Sequence, residues 1–143
     1  MKNKSFYFLG LLCCVFACQP SVHPQEAALL RVLDALEIPY QSQDTLQCMV
    51  IPNGGCQGCI SSAEAFVMEQ IDKDSSLFVI FTAVQSQKIL KARLGKLRSH
   101  PQIRIDRENQ ITAQGLHTIY PITYRLAGGK LFQTQASDFK NIP

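Results

Sequence analysis

Cys56-Gln57-Gly58-Cys59 carries the densest chemistry in this sequence. Two thiols separated by two residues are near enough to close a small disulfide ring, and such a pair exchanges with other thiols through a mixed disulfide. The motif follows Pro52-Asn53-Gly54-Gly55, which is dense turn chemistry. It precedes Ile60 to Ile71, whose Ala, Glu, Met and Gln content favours a helix. Thiols at a helix start meet unsatisfied N–H groups and positive potential, so a thiolate is favoured at Cys56. Cys56 is therefore expected to attack, or be attacked by, a partner's sulfur, with Cys59, one turn deeper, resolving the mixed disulfide.

The other cysteines, of six in all, read differently. Cys48 sits in the apolar, strand-like run Thr45 to Ile51 and is expected to be a small core residue, with a regulatory thiol as the alternative. A CxxC is also half of a zinc knuckle, but Cys48, His23, His100 and His117 offer no second pair at ligand spacing. Cys13, Cys14 and Cys18 belong to the amino-terminal segment. There Lys2 and Lys4 precede an uncharged apolar run, Phe6 to Ala17, too short to span a bilayer, which reads as a secretion signal.

The 143 residues are 46% hydrophobic and 17% charged, which excludes an intrinsically disordered chain. Without Lys2 and Lys4 the basic residues nearly balance the eleven acidic ones, so there is no electrostatic footprint for nucleic acid. One globular domain is expected.

The elements that must position the cysteines follow from periodicity. Gln25 to Glu37 places Leu29, Val32, Leu33 and Leu36 at helical spacing behind Pro24. Thr45 to Ile51 reads as a strand, and Leu77 to Thr82 as a strand buried on both faces. Ser86 to Ser99 reads as a helix with Ile89, Leu90, Leu94 and Leu97 inward. Its Lys88, Lys91, Arg93, Lys96 and Arg98 form a solvated basic face, contact with anionic lipid or an acidic partner being the alternative. Gln102 to Ile105 is a short strand, and Pro121 to Leu126 with Lys130 to Thr134 form a hairpin turning at Gly128-Gly129. This alternation implies a parallel central strand pair flanked by helices.

Two resemblances attach to these residues. Val15-Phe16-Ala17-Cys18 resembles the lipobox of bacterial lipoproteins, which implies that residues 1–17 are cleaved as a signal peptide and that Cys18 is lipidated. Residues 18–24 would then be a tether and residues 25–143 the folded domain, facing the periplasm from the cell envelope. Strand, turn, CxxC, helix, βα unit, X-Pro and hairpin, in that order, resemble the thioredoxin fold, in its TlpA/ResA-like extracytoplasmic branch. The resemblance implies an α/β, thioredoxin-like domain with a central mixed β-sheet flanked by helices. It also implies a thiol-disulfide oxidoreductase whose catalytic residues are Cys56 and Cys59. Tyr120-Pro121 falls at that family's cis-proline position, so Tyr120 and Pro121 are expected on the substrate side. No cofactor beyond the redox-active disulfide is implied. The partners implied are protein thiols or disulfides, a membrane electron donor or acceptor, and the membrane itself through the anchor.

Some residues depart from the family pattern. Gly55 replaces an aromatic, so a mobile, poorly shielded loop is expected. The strand before the motif lacks a buried acid, and Glu64, the acid nearest after Cys59, reads as a solvated helix residue. Little chain remains for a final helix, a face that the Gln25 to Glu37 helix would cover instead. Alternatives are a copper chaperone of the Sco type, similar in fold, using Cys56, Cys59 and His117 as copper ligands, and a non-catalytic thioredoxin-fold lipoprotein.

Overall fold

The computed structural model describes residues 23–41, 44–116 and 119–135. The expected signal segment, Cys18 and His117 lie outside the described residues. Along the chain run α1 (Pro24–Ala35), β1 (Thr45–Pro52), α2 (Gln57–Gln70), β2 (Leu77–Thr82) and α3 (Gln87–Leu94). A 3-10 helix (Gly95–Ser99), β3 (Ile103–Ile105), α4 (Gln110–Ala113), β4 (Ile122–Ala127) and β5 (Lys130–Gln135) complete the order.

The strands form one mixed sheet in the order β3-β2-β1-β4-β5. β1 is central, parallel to β2 and antiparallel to β4, while β3 is parallel to β2 and β5 antiparallel to β4. A central strand covered on both sides must be apolar at successive positions. Leu46, Cys48 and Val50 of β1 therefore pack on one face with α1 and Ile111 of α4. Met49 and Ile51 pack on the other with Ile60, Ala63 and Val67 of α2 and Leu90 and Leu94 of α3. The result is a mixed α/β sheet between two helical layers, an architecture compatible with a thioredoxin-like fold.

Local chemistry explains the element ends. His23 caps α1 by accepting from the Gln25 N–H, and Pro24 occupies the first turn, where its missing donor costs nothing. α1 buries Ala28, Leu29, Val32 and Leu33 against the sheet, so it covers the face for which no carboxy-terminal helix was expected. Each of its fully buried Leu and Val side chains contributes about 1.5–3 kcal/mol. Gly128 and Gly129 both have positive φ, as the two-residue turn between β4 and β5 requires.

The basic helix departs from expectation in two ways. It does not run unbroken from Ser86 to Ser99, because Gly95 adopts a φ of 56° and the chain tightens there into the 3-10 turn. Ile89 is also 65% exposed rather than inward. With α3 only two turns long, Leu90 and Leu94 suffice to fill the contact with the sheet, and Ile89 falls on the outer face.

Candidate functional site

The sheet topology gathers the site at one end. β1 and β2 are parallel and pair at their carboxy ends, Pro52 with Thr82, so α2 and α3 both begin at that end. β4 is antiparallel to β1 and starts beside Val50, so the segment 119–121 enters the sheet at the same end. A βα unit followed by an antiparallel hairpin has no other way to place these three pieces.

Cys56 is the amino-terminal cap of α2, and its sulfur accepts the Cys59 N–H at 3.3 Å. Cys56 and Cys59 are joined by a disulfide with Cα atoms 5.3 Å apart. Both residues are half-buried, so the bond is reachable from solvent while its helix lies on the core. The positive end of the α2 dipole and its free N–H groups face Cys56, an arrangement that stabilises negative charge on its sulfur once the disulfide opens.

Tyr120 and Pro121 are brought to the cysteines through the residue before them. The Cys56 N–H donates to the Ile119 carbonyl at 3.3 Å. Tyr120 is 43% exposed and Ile119 55% exposed, whereas Pro121 is buried. The cis-proline expectation is not met: the described residues contain no cis peptide bond, so Tyr120–Pro121 is trans. The chain needs no cis bond to reach the cysteines, because the backbone bond to Cys56 is made one residue earlier, at Ile119.

Gly55 in the loop and Glu64 on α2 both differ from expectation. Gly55 is not a loosely held residue. Its φ is 130°, and a Cβ there would stand 2.3 Å from the Ile119 carbonyl oxygen. Glycine is required because the loop is pressed against segment 119–121, which leaves no room for a side chain at this position. Glu64 is likewise not solvated: its side chain is 11% exposed and its Oε1 lies 2.9 Å from Arg93 Nη2 of α3. This is an ion pair without the alignment of a hydrogen bond. The same Nη2 donates to Asn53 Oδ1 at 3.1 Å. Arg93 thus ties α2, α3 and the turn leading into Cys56 together, a role that reading Lys88 to Arg98 as one solvated face misses. No spacing in the sequence signals it, since Arg93 lies on a different helix 29 residues after Glu64.

A buried acid does exist, away from the strand before the motif. Asp106, 1% exposed, accepts from Thr82 Oγ1 at 2.9 Å and from the N–H groups of Gln110 and Ile111. All of these bonds fasten β3, β2 and the short α4, a structural task. Cys48 is fully buried in the α1 face of the sheet, and burial pushes its thiol up to about 12, so it is the core residue expected and not a nucleophile. Among the described residues no group of three His, Cys, Asp or Glu is placed to hold a metal ion.

No family model matches the chain, and neither the curated proteins nor the solved structures contain a match to it.

Proposed function

We propose that the chain is a thiol-disulfide oxidoreductase that exchanges the Cys56–Cys59 pair with cysteines of protein substrates. The observation that carries this is the disulfide itself, half-exposed at the capping position of α2. A stabilising staple has no need of that position, and closing so short a loop gives an entropic gain at the low end of what a disulfide provides. Exposed Ile119 and Tyr120 beside it give a substrate chain apolar surface to lie on.

The exchange balances as follows. A substrate thiolate attacks Cys56 Sγ, the Cys56–Cys59 bond breaks, and Cys59 leaves as a thiolate that takes a proton from solvent. A second substrate thiolate then attacks the substrate sulfur of the mixed disulfide. Cys56 departs as a thiolate, the substrate gains a disulfide, and the chain keeps two electrons and takes up protons. In reverse, Cys56 thiolate opens a substrate disulfide and Cys59 resolves it. Cys56 is the better attacking sulfur because it faces the α2 amino end.

The lipobox-like Val15-Phe16-Ala17-Cys18 supports a chain anchored to the bacterial envelope by Cys18 and facing the periplasm. There a membrane electron donor or acceptor would reset the pair.

The test is trapping. In cells producing Cys59→Ser, Cys56 should accumulate mixed disulfides with other proteins, which reductant releases, whereas Cys56→Ser should accumulate none. Equal trapping by both variants, or by neither, contradicts the assignment.

A further inference from the structure

We infer that α3 and the 3-10 helix after it form a docking groove for an acidic polypeptide, the partner whose cysteine meets Cys56–Cys59. The inference rests on the exchange function proposed above and names its substrate class.

Between Val84 and Ile105 the sequence holds Lys88, Lys91, Arg93, Lys96, Arg98 and Arg104 and no Asp or Glu. Two of these are committed internally. Arg93 holds Glu64 and Asn53, and Arg104 donates to the carbonyls of Leu36 at 2.9 Å and Pro101 at 2.7 Å. The other four, Lys88, Lys91, Lys96 and Arg98, have no carboxylate within ion-pair distance among the described residues. Three of them, Lys91, Lys96 and Arg98, line an open depression of about 610 Å³ together with Ala92, Gly95 and Ser99. The small residues leave room between the cations, and the cations make that room attractive to carboxylates.

The strip begins at the end of the sheet that carries the disulfide. α3 starts at the end of the sheet where α2 starts, Lys88 and exposed Ile89 lie in its first turn, and Lys91, Lys96 and Arg98 follow away from that end. A polypeptide with its cysteine at Cys56 meets the end of the sheet where Lys88 and Ile89 lie, and the groove follows along α3 from there. A protein is favoured over an anionic bilayer because a bilayer has no sulfur to exchange at the end where the strip begins. Opposite charge on the partner raises the encounter rate and fixes its orientation.

The experiment uses the full chain in nonionic detergent, oxidised, with two cysteine peptides that differ only in carrying Glu or Lys around the cysteine. Each rate of reduction is divided by that peptide's rate with 2-hydroxyethyl disulfide, which removes the effect of flanking charge on the peptide's own thiol. The Glu peptide should react about tenfold faster at low ionic strength, and the advantage should vanish in about 1 M salt, where charges are screened beyond about 3 Å. Lys88→Glu/Lys91→Glu/Lys96→Glu/Arg98→Glu should abolish or invert the preference, and the milder fourfold change to Gln should abolish it. Lys73→Glu, on the turn after α2, should leave it as in the unmodified chain. Equal corrected rates for the two peptides overturn the inference. So does a preference that survives the fourfold changes. If the rates are equal and the fourfold change instead lowers binding to phosphatidylglycerol vesicles over phosphatidylcholine vesicles, the occupant is a membrane and the inference also fails. If no peptide and no dithiothreitol reduces the native chain, the exchange function itself falls and takes the inference with it.

Discussion

At Gly55 one missing methyl group governs how the disulfide loop is seated. A side chain there would collide with the Ile119 carbonyl and would have to hold a φ of 130°. Gly55→Ala should therefore cost about 1–3 kcal/mol in denaturant unfolding, while Gly54→Ala, where nothing lies within 4 Å of the added atom, should cost little. Comparable costs at the two positions would contradict the packing of the loop on residue 119. Cys48 makes a separate prediction through its proton. Burial raises its thiol from an ordinary 9.0 to about 12, so the folded state keeps a proton that the unfolded chain gives up. Its contribution is fully present below about pH 9 and is lost as pH rises toward 12, at up to about 1.4 kcal/mol per unit. Tyr124, also raised by burial and by the neighbouring Cys48, acts in the same direction, so Cys48→Ala should flatten the alkaline loss of stability only in part. Urea titrations across that range check it, and an unchanged slope would place Cys48 outside the core.

Between elements, Arg93 is the joint that matters most to the site. It links Glu64 of α2 and Asn53 of the turn from α3, and its own side chain is 34% exposed. Solvent reduces the value of such a pair, so Arg93→Ala should cost about 1 kcal/mol, with a coupling to Glu64→Gln of a few tenths in a double-mutant cycle. Additive effects would show that the two side chains do not interact. The same elements show what a sequence makes readable. β2 is readable because a strand buried on both faces leaves an unbroken apolar run, β1 because its apolar run ends at dense turn chemistry, and the β4–β5 turn because Gly128-Gly129 accepts the positive φ it needs. Periodicity does not say where a left-handed Gly95 ends a helix, so α3 is shorter than its apolar pattern implies and Ile89 faces outward. α4 has too few residues to show a period. It exists because Asp106 accepts two of its N–H groups, a contact that needs β3 in place first.

Taken whole, the molecule is a mixed sheet whose topology brings two helix starts and one strand start to a single end, and the disulfide sits there. The CxxC pair is readable from its spacing and its helix from composition and the turn residues before it. The contact that unites them with segment 119–121 is not, since it depends on a backbone carbonyl meeting a glycine 64 residues earlier in the chain. If the pair is redox-active, the folded chain must open and close it without unfolding. The direct measurement is an equilibrium titration of the native full chain against glutathione and dithiothreitol buffers, with the state of Cys56 and Cys59 read by thiol trapping and mass spectrometry. The expected result is one reversible two-electron transition, its oxidised-to-reduced ratio changing tenfold per about 30 mV, with Cys48 unmodified throughout. A disulfide that resists dithiothreitol until the protein is denatured would contradict thiol-disulfide exchange as its function.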